Sequence, residues 1–327
     1  MFLAGDIGGT KTVLALYSWQ AGVPHCEREI SVPSRDHAQF DTIVDSFLGV
    51  DRPVLRGAAF GVAGPVVNGR CATTNLPWIL DEVDLAARLG CPVKLLNDLE
   101  AAAIGMLHLP AEHRVALSSV RRDQDGMTAV IAAGTGLGEA LLFWDGQRYH
   151  VQPTEGGHCS FAPNTADDDA LLVYLRKKLG GHVSVERVLS GPGLFSIWCF
   201  LRDSGHGRMD TAVQQRIETA ADPSAEVASC ALDGSDAVCV QALSLFCRIY
   251  GAEAGNLALK CLATAGILVG GGIAPKILPF LQRGEFMQGF LGKGRFRALL
   301  ETIPVEVVLE PRAPLIGAAH TAHQLVK

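Results

Sequence analysis

The chain has 327 residues, 48% of them hydrophobic and 19% charged, with a formal net charge of −6. Such a composition buries a sizeable core and excludes a disordered polymer, while the acidic balance argues against a broad basic face for nucleic acid. No apolar run is long enough to span a bilayer, so neither nucleic acid nor membrane is expected as a partner.

The elements are predicted in chain order from apolar patterning. Residues 2–7 form a strand, Gly8-Gly9 breaks it, and 12–17 resume with β-formers. A second strand at 57–63 stops at Gly64-Pro65. After a loop at Leu76-Pro77-Trp78 comes a helix at 85–89, and a strand at 93–96 runs into Asn97-Asp98 and an alanine-rich helix over 99–107. From Met127 the pattern restarts: strand 128–133, turn Gly134-Thr135-Gly136-Leu137-Gly138, strand 139–144. This repeats the strand-turn-strand unit around Asp6-Ile7-Gly8-Gly9-Thr10-Lys11 and predicts two similar α/β halves. Residues 165–265 are mainly helical, with helices expected at 170–179 and 238–262. A strand at 267–269 then meets Gly270-Gly271-Gly272, with a helix expected from Pro275, and a last helix at 315–325 packs back on an earlier domain.

Nine cysteines, at 26, 71, 91, 159, 199, 230, 239, 247 and 261, include no C-x-x-C pair. They read as reduced, mostly buried thiols. The start, Met1-Phe2-Leu3-Ala4-Gly5-Asp6, lacks the basic opening of a secretory signal, so a cytoplasmic protein is expected.

A bound polyphosphate needs amide donors that approach without side chains in the way, and glycine-rich turns supply them. Gly8-Gly9-Thr10 and Gly134-Thr135-Gly136 both offer this at the end of an apolar strand. Either alone reads equally as a plain hairpin; the matched pair favours nucleotide phosphates. Asp6 would sit near Mg²⁺, through water, or cap a turn. Gly270-Gly271-Gly272 either passes under an adenosine or makes a tight strand-helix turn. No Walker-type P-loop occurs, and Gly134 to Gly138 opens a strand rather than the helix of a dinucleotide fingerprint.

Together these residues resemble the hexokinase, sugar kinase and actin superfamily, and more closely the bacterial glucokinase family. The resemblance extends along nearly the whole chain. It is carried by Asp6-Ile7-Gly8-Gly9-Thr10, Gly61-Val62-Ala63-Gly64-Pro65, Thr74-Asn75-Leu76-Pro77-Trp78, Leu96-Asn97-Asp98 and Gly134-Thr135-Gly136-Leu137-Gly138. Glu155-Gly156-Gly157-His158, Glu186-Arg187-Val188-Leu189-Ser190-Gly191-Pro192-Gly193 and Gly270-Gly271-Gly272-Ile273-Ala274-Pro275 complete it.

The resemblance implies a two-domain actin-like ATPase (ribonuclease H-like) α/β fold with a cleft between a small and a large domain. The small domain is expected at 1–108, rejoined by a C-terminal helix within 301–327, and the large one at 109–300. It implies transfer of the γ-phosphoryl of ATP to the 6-hydroxyl of glucose, with Mg²⁺ as cofactor and a homodimer as the assembly. Asp98 would be the catalytic base, and Asn97, Glu155, His158, Glu186 and Asn75 would bind the sugar. Asp6, Gly8, Gly9, Thr10, Lys11, Gly134, Thr135, Gly136, Gly270, Gly271 and Gly272 would bind the nucleotide.

By spacing, Asn97-x-x-Glu100 is also a helix cap, and Glu186 reads equally as a helix-surface carboxylate. A zinc site from His150, Glu155, His158 and Cys159 is not expected, since that spacing matches no recognised zinc pattern. Lys11 departs from the asparagine common in glucokinases and either contacts phosphate or faces solvent. Another hexose (mannose, fructose or an acylated amino sugar) is the alternative substrate. A non-catalytic sugar-binding regulator is a further alternative, disfavoured because a phosphate turn beginning at residue 6 leaves no room for an N-terminal DNA-reading helix pair. So is an actin-like filament protein, which would give no reason for the sugar-site residues.

Overall fold

The computed structural model describes residues 1–73, 76–122, 125–205 and 210–326. They divide into two compact units, one formed by Met1–Ala111 with the segment from Glu310 onward, the other by Glu112–Leu309. The first holds β1 (Phe2–Ile7), β2 (Lys11–Gln20), β3 (Val23–Pro33), α1 (Phe40–Leu48) and β4 (Gly57–Val62), then β5 (Arg70–Ala72), β6 (Ile79–Asp81), α2 (Glu82–Leu89), β7 (Val93–Asn97) and α3 (Asp98–His108). The second begins with β8 (Arg114–Ala116), β9 (Thr128–Ala133), β10 (Leu137–Trp144) and β11 (Tyr149–Thr154). Its helices α4 (Ala166–Leu179), α5 (Gly191–Asp203), α6 (Thr211–Thr219), α7 (Pro223–Asp233) and α8 (Ala237–Cys261) follow, then β12 (Gly266–Gly270), α9 (Leu278–Leu281), α10 (Glu285–Leu291), α11 (Arg297–Leu300) and β13 (Val305–Val308). The chain ends in α12 (Ala313–Gln324), which belongs to the first unit.

The first sheet has the order β3-β2-β1-β4-β7, and the second has β11-β10-β9-β12-β13-β8. In each, an antiparallel hairpin pair leads into a strand flanked by parallel neighbours. The internal repeat expected from the glycine turns is therefore a repeat of sheet topology, with β8 added at one edge. The central strands β1, β4 and β12 are buried almost throughout. That explains their continuous apolar runs, because a parallel strand covered on both faces does not alternate.

In the first unit one face of the sheet packs Leu3, Leu14 and Phe60 against Phe40, Ile43 and Phe47 of α1 and Leu85 of α2. The opposite face presents Phe2, Ala4, Ala15 and Ala59 to Leu315, Ala318, Ala319 and Ala322 of α12. α12 also lies on α3, so closely that a Cβ at Gly317 would stand 1.9 Å from the Ala101 carbonyl oxygen. Small residues in the last helix thus let two backbones meet and fix the depth of α3.

In the second unit the long helix α8 packs on β9 and β12 and carries α5, α7 and α10 on its other sides. An ion pair of Arg248 Nη2 with the buried Asp168 Oδ1, at 2.7 Å, ties it to the start of α4. Side-chain caps start the helices: Asp81, Thr165, Ser190, Asp210, Asp222 and Asp236 each accept from an amide in the following turn. The helix expected from Pro275 is absent there. Turns run from Gly271 to Ile277, where Ile273 N bonds the Ala133 carbonyl and Lys276 N bonds the Ile273 carbonyl, and the four-residue α9 follows. No single helix among the described residues is long and apolar enough to cross a membrane.

Candidate functional site

In the small unit the parallel strands β1, β4 and β7 stop together, with Ile7 beside Val62 and Val62 beside Asn97. Ligands of open α/β sheets gather beyond these carboxyl ends. The first glycine turn leaves β1 there, closed by Gly8 N to Lys11 O at 3.0 Å. Ser34 clamps it from outside: its hydroxyl donates to Gly8 O at 2.7 Å, its amide donates to Thr10 O at 2.9 Å, and Thr12 Oγ1 lies 2.9 Å from its oxygen. Nothing in the local sequence singles out Ser34, which stands 26 residues from Gly8. Lys11 is exposed and opens β2.

Asp6 lies near the end of β1. Burial pushes its carboxyl up to about 6, the Asp98 carboxylate adds to the shift, and Lys11 opposes it. The first glycine turn and Asp98 are therefore electrostatic neighbours. Asn97 caps α3: its Oδ1 accepts from Leu99 N at 3.0 Å, and the Glu100 carboxylate accepts from Asn97 N, completing a capping box. Its Nδ2 donates to Gly64 O at 3.2 Å, tying β7 to the loop after β4. Asp98 is the first residue of α3 and is exposed. The capping box is made by Asn97 and Glu100; Asp98 Oδ1 also accepts from Leu99 N at 2.8 Å, and its carboxylate stands at a helix N-terminus, where negative charge is favoured. Asn75 lies outside the described residues.

In the large unit β9 and β12 run parallel with Ala132 beside Gly270. Their carboxyl ends deliver Gly134-Thr135-Gly136 and Gly270-Gly271-Gly272 side by side. Gly271 adopts φ +82°, and a Cβ there would stand 2.3 Å from the Ala133 carbonyl oxygen, so the third glycine run folds directly over the end of β9. Tyr250 of α8 holds both strand ends. Its buried hydroxyl accepts from Ala133 N at 3.1 Å and lies 3.3 Å from the carbonyls of Ile131 and Gly270. Nothing in the local sequence distinguishes it from the other apolar positions of a long helix.

Glu186 is in a 3₁₀ turn, Val185–Arg187, rather than on a helix surface. Its Oε2 accepts from Leu137 N at 3.1 Å and lies against Gly136, so it braces the second glycine turn. Glu155 and His158 flank another 3₁₀ turn, Gly156–His158, with His158 Nδ1 3.3 Å from Glu155 Oε2. Their side chains are 88% and 62% exposed, respectively, which leaves both free to turn toward a ligand. The two intervening glycines are required by packing: a Cβ at Gly157 would stand 2.2 Å from Leu137 O, and one at Gly156 would stand 2.0 Å from Glu139 Oε2. Leu137 therefore joins Glu186, the second glycine turn and the Glu155–His158 turn through one strand. No group of three or more His, Cys, Asp or Glu side chains among the described residues is placed to hold a metal ion.

Comparison with solved structures defines the class. A glucokinase from an Antarctic psychrotroph superposes with a TM-score of 0.84 at 30% identity, covering 99% of this chain and 98% of that one. A ROK-family glucokinase from Streptomyces griseus, solved with glucose and AMPPNP, matches at TM-score 0.64 and 22% identity over 99% of each chain. The architecture is the two-domain actin-like fold of sugar kinases. At the level of sequence the glucokinase family model matches residues 3–325, and the glucokinase of Synechocystis is 41% identical over 99% of this chain and 98% of its own length. The chain belongs to the glucokinase family.

Proposed function

We propose that this protein transfers the γ-phosphoryl group of ATP to the 6-hydroxyl of D-glucose, with Asp98 as the base. The 6-oxygen attacks the γ-phosphorus, the bond to the β,γ-bridging oxygen breaks, and ADP leaves while the hydroxyl proton passes to Asp98. The observation that supports this most is the exposed Asp98 carboxylate at the N-terminus of α3, beside Asp6 and the first glycine turn. Asn97, Glu155, His158, Glu186 and Asn75 are proposed to engage the sugar hydroxyls. Gly8, Gly9, Thr10 and Lys11 in one domain, and Gly134, Thr135, Gly136, Gly270, Gly271 and Gly272 in the other, are proposed for the nucleotide.

Asp6 fits a place near Mg²⁺, because its half-buried carboxyl lies within electrostatic reach of a second one and a divalent cation relieves both. Bound with ATP, Mg²⁺ neutralises phosphate charge. All nine cysteines are free, which accords with a cytoplasmic location, where thiols stay reduced.

The test crosses a panel of hexoses with a panel of phosphoryl donors. Glucose with ATP is expected to give the highest kcat/KM. Preference for mannose, fructose or an acylated amino sugar would overturn the substrate assignment, and sugar binding without ADP release would make the protein a regulator.

A further inference from the structure

Among the described residues of the large domain, the carboxyls of Glu139, Glu285 and Glu306 each bury an oxygen without a hydrogen-bond partner, and of these Glu139 lies beneath the Glu155–His158 turn. Glu139, in the middle of the second hairpin, is 2% exposed, and its Oε1 has no hydrogen-bond partner among the described residues. Its other oxygen lies against Gly156, where a Cβ would stand 2.0 Å away. The backbone around it is well tied. Thr154, opposite Glu139 in β11, donates its hydroxyl to Glu139 O at 2.9 Å and accepts from Gly156 N at 3.1 Å. Groups of α8 act on it electrostatically: the buried Glu253, its partner Lys260 at 3.3 Å, and the thiol and phenol of Cys261 and Tyr250. The turn above it carries Glu155, His158 and Cys159, and the His150 of β11 is held by Asp145.

A buried polar side chain without a partner costs stability, so its presence under a ligand-facing turn calls for a role. We infer that Glu139 is a positioning residue for the sugar: its buried carboxyl, seated directly beneath Gly156, sets the height of the turn that carries Glu155 and His158. This rests on the reading of that turn as sugar-binding. Burial pushes the Glu139 carboxyl up to about 7, with the Glu253 carboxylate adding to the shift and the Lys260 ammonium opposing it. Near neutral pH this carboxyl therefore changes charge. The ionised form is repelled by the Glu253 carboxylate, and that repulsion loosens the packing beneath Gly156. No proton of the reaction passes through Glu139.

The experiment measures the KM for glucose and for ATP, and kcat, from about pH 6 to about pH 8 in the full-length wild type, Glu139→Gln, Glu139→Ala and Glu155→Ala. In the wild type the glucose KM is expected to rise severalfold across this range, while Glu139→Gln keeps the low-pH value throughout because the amide preserves the shape and cannot ionise. Glu139→Ala is expected to raise the glucose KM about tenfold and leave the ATP KM within about twofold. A wild-type pH dependence retained by Glu139→Gln overturns the inference. So does a Glu139→Ala variant whose glucose KM is unchanged or moves together with that for ATP. If Glu139→Ala fails to fold, the Gln comparison decides alone. If Glu155→Ala raises the glucose KM while the Glu139 variants behave as wild type, only the role of Glu139 falls. If Glu155→Ala leaves it unchanged, the sugar-binding reading of the turn falls with it.

Discussion

Replacing Tyr250 with phenylalanine removes one oxygen atom from the interior of the large domain and nothing else. That oxygen accepts from Ala133 N at 3.1 Å and has Ile131 O and Gly270 O at 3.3 Å, so its single proton serves one carbonyl at a time. The variant deprives the buried Ala133 amide of this acceptor, and a buried donor left unsatisfied costs about 1–3 kcal/mol. A loss near 2 kcal/mol corresponds to a fall in Tm of about 4–8 °C for a domain of this size. The affected atoms close β9 and β12 one residue before Gly134 and Gly271, so the damage falls on the nucleotide turns. Urea denaturation of the wild type and Tyr250→Phe, followed by steady-state kinetics, tests both consequences. The ATP KM is expected to rise severalfold with the glucose KM little changed. An unchanged denaturation midpoint together with an unchanged ATP KM would refute the role given to this hydroxyl.

Gly157→Ala places a methyl group 2.2 Å from Leu137 O, which forces the Glu155–His158 turn outward by roughly 1 Å. A displacement of that size costs up to about a hundredfold in glucose kcat/KM, and a variant with wild-type kinetics would show that the turn's position does not matter. Glu139 also leaves a mark on stability. Its folded value, about 7, lies above the unfolded 4.5, so the stability contributed by the protonated form is fully present below 4.5 and lost as pH rises to about 7. Glu139→Gln should therefore gain on the wild type by up to about 3 kcal/mol between pH 4.5 and pH 8; a stability difference that stays constant across this range counts against the buried, uncharged carboxyl.

The parts of the fold that were legible in the sequence share one property: their signal is local. The apolar runs of β1, β4 and β12 register burial on both faces, and the glycines after them mark turns that need no partner elsewhere in the chain. Asn97 and Glu100 announced a capping box because its two bonds span three residues. What the sequence hid is long-range. Ser34 and Tyr250 reach glycine turns 26 and 20 residues away or more, and no period or spacing marks such bonds. The sequence equally allows Glu186 as a helix-surface carboxylate, because its bond to Leu137 N joins residues 49 apart in the chain. Glu139, an ionisable residue in an apolar strand, carries a local signal: an acidic side chain at a position of the strand that faces the core.

If Asp98 accepts the proton of the sugar hydroxyl, Asp98→Asn removes that acceptor with little change in size. Single-turnover phosphorylation of glucose by ATP, paired with a direct measurement of glucose binding, separates chemistry from affinity. The rate is expected to fall by about a hundredfold to ten-thousandfold with glucose affinity within about threefold of the wild type. Phosphorylation at near-normal rate by the Asp98→Asn variant would contradict this role for Asp98.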